Sequence, residues 1–368
     1  MSENRQRRSA VGGIIGPMEL EISDRAACYR IFQTHDARFD GRVFVGVTST
    51  GIYCRPICPA RTPKFENCRY FASAAAAQEA GFRPCLRCRP ETAPELAFWR
   101  GSSNTVSRAL KLIAEGALDE SEAGVEALAG RLGVGGRQLR RLFSQHLGAS
   151  PIAVAQTRRV LFAKQLIQDT NLPMTEVALS AGYGSVRRFN ETFRNLFGRP
   201  PSALRRGGGT SAREGVTLRL GYRPPYDWPG MLDALAARAN KKVERVTGGV
   251  WHRQIELDGK KGAVSVAHRP ERNSVAVTIS FPEVRALPAI VARVKRVFDL
   301  GADIVTIDSH LARDPKLAPL IAKRPGLRAP GDWDHDLAAA NLDEKAPQAW
   351  RPWHAYAEQH LRIAANAA

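Results

Sequence analysis

Gly51-Ile-Tyr-Cys54-Arg-Pro-Ile-Cys58-Pro-Ala-Arg61, followed 26 residues after Cys58 by Pro84-Cys85-Leu-Arg-Cys88-Arg89, is the stretch on which the reading of this chain turns. A pair spaced C-x3-C and a pair spaced C-x2-C can each chelate one ion, and four thiolates suit a tetrahedral zinc ion. An iron–sulfur or redox role is the alternative on the same spacing rule. The chain has six cysteines. Cys28 and Cys68 lie outside both pairs and read as small buried hydrophobes. Around the four ligands stand Arg55, Arg61, Arg83, Arg87 and Arg89, a concentration of positive charge expected of a phosphate-facing surface.

The 368 residues around this stretch suffice for two or three domains. With 54 Lys+Arg against 36 Asp+Glu the formal charge is +18, so a polyanion is the natural partner, nucleic acid ahead of an anionic membrane. No run of about 20 apolar residues spans a bilayer, and the N-terminus lacks the apolar core of a signal peptide. The expectation is a soluble protein of the cytoplasm, associated with the nucleoid and not with a membrane.

From Asn104 to Arg206 the chain repeats itself with an offset of 50 residues: Glu126 matches Glu176, Arg137 Arg187, Leu139 Phe189, Phe143 Phe193, Leu147 Phe197, Gly148 Gly198 and Pro151 Pro201. Each copy predicts a helix (Val125 to Arg131; Met174 to Ala181), a Gly-containing turn, and a second helix capped by Gly148 or Gly198. Residues 122–206 carry 13 Lys+Arg and 5 Asp+Glu, a balance of +8 in less than a quarter of the chain. Two recognition helices in one chain suit successive major-groove segments of double-stranded DNA, with Arg directed to guanine and Asn or Gln to adenine. The candidate DNA-reading residues are Arg137, Gln138 and Arg141 in one copy and Arg187, Arg188 and Asn190 in the other.

At the cysteines the chain resembles the N-terminal domain of the Ada family of bacterial alkylation-response proteins, through Asp40-Gly-Arg-Val-Phe44 and onward to Arg61, then Glu66-Asn67, then Ala80-Gly-Phe-Arg-Pro-Cys85-Leu-Arg-Cys88-Arg-Pro90. The resemblance implies a zinc-bound domain held by Cys54, Cys58, Cys85 and Cys88. In it Cys54 takes a methyl group from a methylphosphotriester, once and irreversibly, while Thr50, Arg55 and Arg61 meet the DNA. It further implies sequence-specific promoter binding and activation of repair genes together with RNA polymerase. The repeat segment is similar to the AraC-type DNA-binding domain, through Ala178-Leu-Ser-Ala-Gly-Tyr183 to Pro201, and that similarity places Arg137, Gln138, Arg187 and Arg188 on recognition helices.

Beyond Arg205-Arg206-Gly207-Gly208-Gly209-Thr210 the pattern changes to half-buried strands: Val216-Thr-Leu-Arg-Leu, Trp251 to Leu257, Ala263 to Val266 and Ser274 to Ile279, then a helix from about Leu287 to Phe298. Leu220-Gly-Tyr-Arg-Pro-Pro-Tyr-Asp-Trp228 and Arg324-Pro-Gly-Leu-Arg-Ala-Pro-Gly-Asp-Trp-Asp334 resemble the N-terminal subdomain of AlkA-type 3-methyladenine DNA glycosylases. No Leu-Pro-Gly-Ile-Gly-like hairpin is present, and Trp350-Arg-Pro-Trp353 to Leu361 looks like the last helix of such an enzyme. Asp332, Asp334 and Asp336 read as exposed acids, and glycosylase activity is not expected. No cysteine follows Cys88, so transfer from methylated bases is not expected either.

The resulting expectation is a multidomain α+β chain. It comprises a disordered tail over 1–15, a small zinc-bound α/β domain over 16–95, an all-α tandem helix-turn-helix domain over 104–206, and a linker over 207–214. A C-terminal α+β domain with an antiparallel sheet follows over 215–334, then a remnant of a glycosylase's terminal helix over 335–368. The competing functions are a zinc-containing regulator without methyl transfer and a 3-methyladenine glycosylase fused to a regulator.

Overall fold

Asp24 starts the first ordered element by accepting a hydrogen bond from the Ala27 N–H, and α1 (Arg25–Gln33) follows it. The computed structural model describes residues 22–94, 103–119, 124–205, 215–334 and 347–366. The expected tail 1–15, the linker 207–214 and Asp336 lie outside the described residues.

The zinc unit is a four-stranded sheet of β1 (Phe44–Val47), β2 (Ile52–Cys54), β3 (Cys68–Phe71) and β4 (Arg83–Pro84), in the order β3-β1-β2-β4. One helix, α2 (Ala74–Glu79), covers a face of it. Because strand side chains alternate, Val45 packs with Cys28, Ile31 and Phe32 of α1, whereas Phe44 packs with Tyr53, Ala77 and Phe82 beneath α2. Cys28 and Cys68 are buried in the first of these clusters, as small apolar side chains. Gly51, at φ +64, makes the β1–β2 turn. The parallel pairing of β2 with β4 sets Tyr53 opposite Pro84. The residues that follow, Cys54 and Cys85, therefore leave the sheet side by side.

The helical segment comprises α3 (Ser103–Ala114), α4 (Gly124–Arg131), α5 (Gly136–Leu147), α6 (Pro151–Asp169), α7 (Met174–Ser180) and α8 (Val186–Phe197). The repeat is visible in three dimensions. Leu139 and Phe143 of α5 are fully buried, as are Phe189 and Phe193 of α8, and both helices end on a left-handed glycine, Gly148 at φ 65 and Gly198 at φ 66. Helix α6, begun by the Ser150 cap and Pro151, runs between the two units.

The C-terminal sheet has the order β5-β9-β8-β7-β6, antiparallel throughout: β5 (Val216–Gly221), β6 (Glu244–Thr247), β7 (Val250–Leu257), β8 (Lys260–Arg269) and β9 (Ser274–Ser280). Val216, Leu218 and Leu220, with Val264, Val266, Val275, Val277 and Ile279, form its buried face. The helices α9 (Trp228–Arg238) and α10 (Leu287–Val297) pack there through Met231, Leu235, Ile290 and Val294. The same cluster continues into Ala163, Leu166, Ile167, Phe189 and Phe193. The second helix-turn-helix unit and the sheet thus share one core, across the position where the sequence suggests a flexible linker.

A smaller apolar cluster joins α11 (Ile304–Leu311), α12 (Ala318–Lys323) and α13 (His354–Asn366) through Ile307, Leu311, Ile321, Trp353 and Tyr356. Beside it, half-buried Asp299 accepts a 2.6 Å hydrogen bond from the Tyr356 hydroxyl. Burial pushes its carboxyl up to about 6, which the nearby Arg328 and Tyr356 offset only in part. An acid raised in the folded state contributes stability that is full below its unfolded pKa and is lost as pH rises through about 6. Asp299→Asn retains an acceptor for Tyr356 and suits the left-handed backbone at φ 48. It is expected to stabilise the protein by about 1–3 kcal/mol at pH near 8 and by little at pH near 4, read from thermal melts at the two pH values.

Candidate metal centre and nucleic-acid interface

The four sulfur atoms of Cys54, Cys58, Cys85 and Cys88 all lie within 4.8 Å of one another. With Zn–S bonds of about 2.3 Å, tetrahedral sulfurs stand about 3.8 Å apart, so the cluster matches the donor set in kind, number and spacing. Four sulfur donors so placed suit a divalent cation, and the centre is a zinc site. Backbone N–H groups support the ligands, that of Arg55 reaching Cys88 Sγ at 3.4 Å and that of Arg87 reaching Cys85 Sγ at 3.3 Å.

The four ligands are not equivalent. Cys58, Cys85 and Cys88 are each 6% exposed, whereas Cys54 is only half-buried. Cys54, with the more buried Cys58 and Cys85, borders a cavity of about 460 Å³ whose wall includes Phe32, Val45, Thr50, Arg61, Arg83 and Arg87. Arg61, Arg87 and Thr50 are exposed around it. His35, which the sequence reading passed over, also lines the cavity; it holds a left-handed backbone at φ 51, with its Nδ1 3.3 Å from the Pro56 carbonyl.

Two of the five arginines do not face outward, and the expectation that Arg55 meets DNA is corrected. Arg55 is 4% exposed. Its Nε lies 2.7 Å from Asp40 Oδ1, a second nitrogen bonds Asp40 Oδ2, and a third donates to the Cys88 carbonyl at 2.9 Å and to Thr92 Oγ1 at 2.7 Å. All its donors are turned inward, so it stiffens the chelate. Arg89 pairs with Glu91 at 2.9 Å and with Asp169 of α6 at 2.7 Å. The outward positive charge at the cavity therefore comes from Arg61, Arg83 and Arg87.

On the helix-turn-helix units, Arg137, Gln138 and Arg141 are exposed on α5, and Arg187 and Arg188 on α8; Asn190 is half-buried. Arg140 is tied to Glu126 at 2.8 Å. In the C-terminal domain Asp334 is paired with Arg253 at 3.3 Å, and the Asp332 carbonyl accepts a 2.8 Å hydrogen bond from Arg296. Neither aspartate borders the cavity beside Cys54.

Three family descriptions match this arrangement: a "Metal binding domain of Ada" over residues 27–91, a "Helix-turn-helix domain" over 128–207 and an "AlkA N-terminal domain" over 217–334. The "Bifunctional transcriptional activator/DNA repair enzyme AdaA" of Bacillus subtilis is 30% identical over 176 residues, covering 46% of this chain and 78% of that protein. The chain belongs to the Ada family. Another relative, the "Probable bifunctional transcriptional activator/DNA repair enzyme AlkA" of Mycobacterium tuberculosis, is 41% identical over 313 residues, 83% of this chain. The chain spans 62% of that relative's length. Within this Ada-family chain a shorter stretch is similar to "DNA-3-methyladenine glycosylase 2" of Escherichia coli, 33% identical over 112 residues, 30% of this chain and 38% of that enzyme.

Proposed function

We propose that this protein senses DNA alkylation: Cys54 accepts a methyl group from a methylphosphotriester in double-stranded DNA, and the modified protein binds promoters of repair genes and activates their transcription. The observation that carries the reading is the half-buried Cys54, alone among the four ligands in not being buried, on a cavity walled by Arg61, Arg83 and Arg87. Bound zinc keeps the sulfurs deprotonated at neutral pH. The Cys54 Sγ lone pair forms a bond to the methyl carbon as the carbon–oxygen bond breaks, and that electron pair leaves on the oxygen of an ordinary phosphodiester anion. No proton moves. The product, S-methylcysteine, is a thioether with no route back, so each molecule reacts once.

Arg61 and Arg83 neutralise the phosphates flanking the triester and hold it against the sulfur, a positioning role suited to guanidinium groups. Thr50, exposed on the β1–β2 turn, supplies a hydroxyl to the same backbone. The test is intact-mass analysis of the zinc-loaded protein after exposure to methylphosphotriester DNA: one added methyl, mapped to Cys54 by peptide fragmentation, and none in Cys54→Ser. A protein that gains no mass is the plain regulator; free 3-methyladenine in solution marks the glycosylase reading.

The exposed residues of α5 and α8 are proposed to read the operator. Arg187→Ala is expected to weaken operator binding by about 1–3 kcal/mol, roughly fivefold to 150-fold, if it holds a base edge. A uniform, salt-dependent loss on all DNA would place it on a phosphate instead. Titrations on operator and scrambled duplexes separate the two. Recruitment of RNA polymerase and residence at the nucleoid belong to the same reading.

A further inference from the structure

Helix α6 is gripped at both ends by the zinc unit. At its start, Ser150 Oγ donates to Glu79 of α2 at 3.2 Å, and Ala149 and Ala153 pack with Ala75 and Ala76. At its far end the contact is ionic and closed to water. Lys164 is 0% exposed and its Nζ bonds the fully buried carboxylate of Glu91, which also accepts from Arg89 Nε; Arg89 in turn pairs with Asp169, the last residue of α6. Burial alone would push the Glu91 carboxyl up, but Lys164 and Arg89 more than offset it and hold it below the usual range.

This knot is continuous with the chelate. Glu91 stands three residues after the zinc ligand Cys88, and the intervening Arg89 holds φ 55, a conformation that a side chain of its size keeps only when its surroundings impose it. Arg55, next to Cys54, holds the same segment from the other side through the Cys88 carbonyl and the Thr92 hydroxyl. The C-terminal domain closes it: Gln165 Nε2, adjacent to Lys164, donates to the Arg219 carbonyl of β5 at 2.8 Å, Arg223 donates to the Asp40 carbonyl at 3.2 Å, and Arg42 pairs with Asp303 at 2.8 Å. The carbonyl of Thr92 lies where a Cβ on Gly221 would stand, so the backbones touch.

We infer that the Glu91–Lys164 pair is a coupling joint, through which the state of the zinc centre sets the order of the α6 C-terminus and of β5, and that the glycosylase-like domain serves as the brace of that joint. Buried ion pairs are best attested as devices that fix register or switch it, since removing one partner leaves an uncompensated charge. The helix so fixed carries the second DNA-reading unit, whose core is also the core of the sheet. The inference needs the zinc centre and not methyl transfer, so the two stand or fall separately.

The test is hydrogen exchange on the full chain, zinc-loaded and after removal of zinc by a chelator, with no DNA present. In the natural sequence, zinc removal is expected to speed exchange at least about tenfold in residues 164–170 and 216–221 as well as in the zinc unit, while β7 and β8 stay protected. In Glu91→Gln/Lys164→Met, which removes both charges at similar volume, the zinc unit should still loosen but residues 164–170 should no longer respond. Unchanged exchange at 164–170 in the natural sequence overturns the inference without any variant. A uniform rise that includes β7 and β8 overturns it as global unfolding, and an undiminished response in the double variant removes the pair from the path.

Discussion

Protein methylated on Cys54 is expected to bind its operator about fivefold to a thousandfold more tightly than unmethylated protein, at about 1.4 kcal/mol per decade. Four thiolates on one divalent ion leave two formal negative charges at the edge of the cavity proposed to receive the DNA backbone, and a thioether in place of one thiolate leaves one. Two unit charges about 4 Å apart repel by about 1 kcal/mol in water and about 4 kcal/mol at an effective dielectric near 20. Cys54 is only half-buried, so the interaction falls between those limits. The placement of the arginines sharpens the expectation. Arg55 is occupied by Asp40 and Arg89 by Glu91 and Asp169, so neither can cancel the charge of the chelate at the DNA surface. The gain should shrink as salt rises, because the Debye length falls from about 10 Å at 0.1 M to about 3 Å at 1 M. Anisotropy titrations of both forms at two salt concentrations test this, and equal affinity at low salt would rule out a charge switch.

What the sequence made legible followed from chemistry that requires local patterns. Chelation needs pairs of cysteines close in sequence, so Cys54/Cys58 and Cys85/Cys88 announce themselves, although only the β2–β4 pairing brings the two pairs together. The tandem helices are legible because both copies bury the same positions, Leu139 and Phe143 against Phe189 and Phe193, and end on the same glycine. The strands of the C-terminal sheet alternate because one face is covered. Arg55 was misread for a physical reason: a guanidinium beside a metal ligand looks the same in sequence whether it faces phosphate or a carboxylate, and the partner, Asp40, lies 15 residues away. Strand β6 offers a single apolar residue, Val246, at a sheet edge, too little for periodicity to register. Lys164 is the extreme case. Nothing in its neighbourhood distinguishes a lysine buried on Glu91 from one in solvent, because the carboxylate comes from the other side of a domain boundary.

Asp40→Ala is expected to destabilise the protein by about 3–5 kcal/mol, more than any substitution of an arginine on the cavity wall, because it strands the buried Arg55 guanidinium without its counter-ion. The loss should extend to the metal. Arg55 holds the Cys88 carbonyl and its own backbone N–H reaches Cys88 Sγ, and removing such outer support of a ligand typically lowers metal affinity by about tenfold to a hundredfold. Asp40→Leu/Arg55→Met should recover part of the stability, since a buried pair replaced by apolar groups of similar volume is often neutral. Recovery should be incomplete, because the Cys88 carbonyl and the Thr92 hydroxyl lose the donor they share. Arg61→Ala should behave in the opposite way: exposed on the cavity wall, it should change stability by no more than about 0.5 kcal/mol yet slow methyl transfer. Urea unfolding, competition for zinc with a chromogenic chelator and single-turnover methylation, run on the same variants, distinguish an arginine that builds the centre from one that presents the DNA to it. If Arg61→Ala lost stability and Asp40→Ala did not, the inward and outward roles assigned to the two arginines would have to be exchanged.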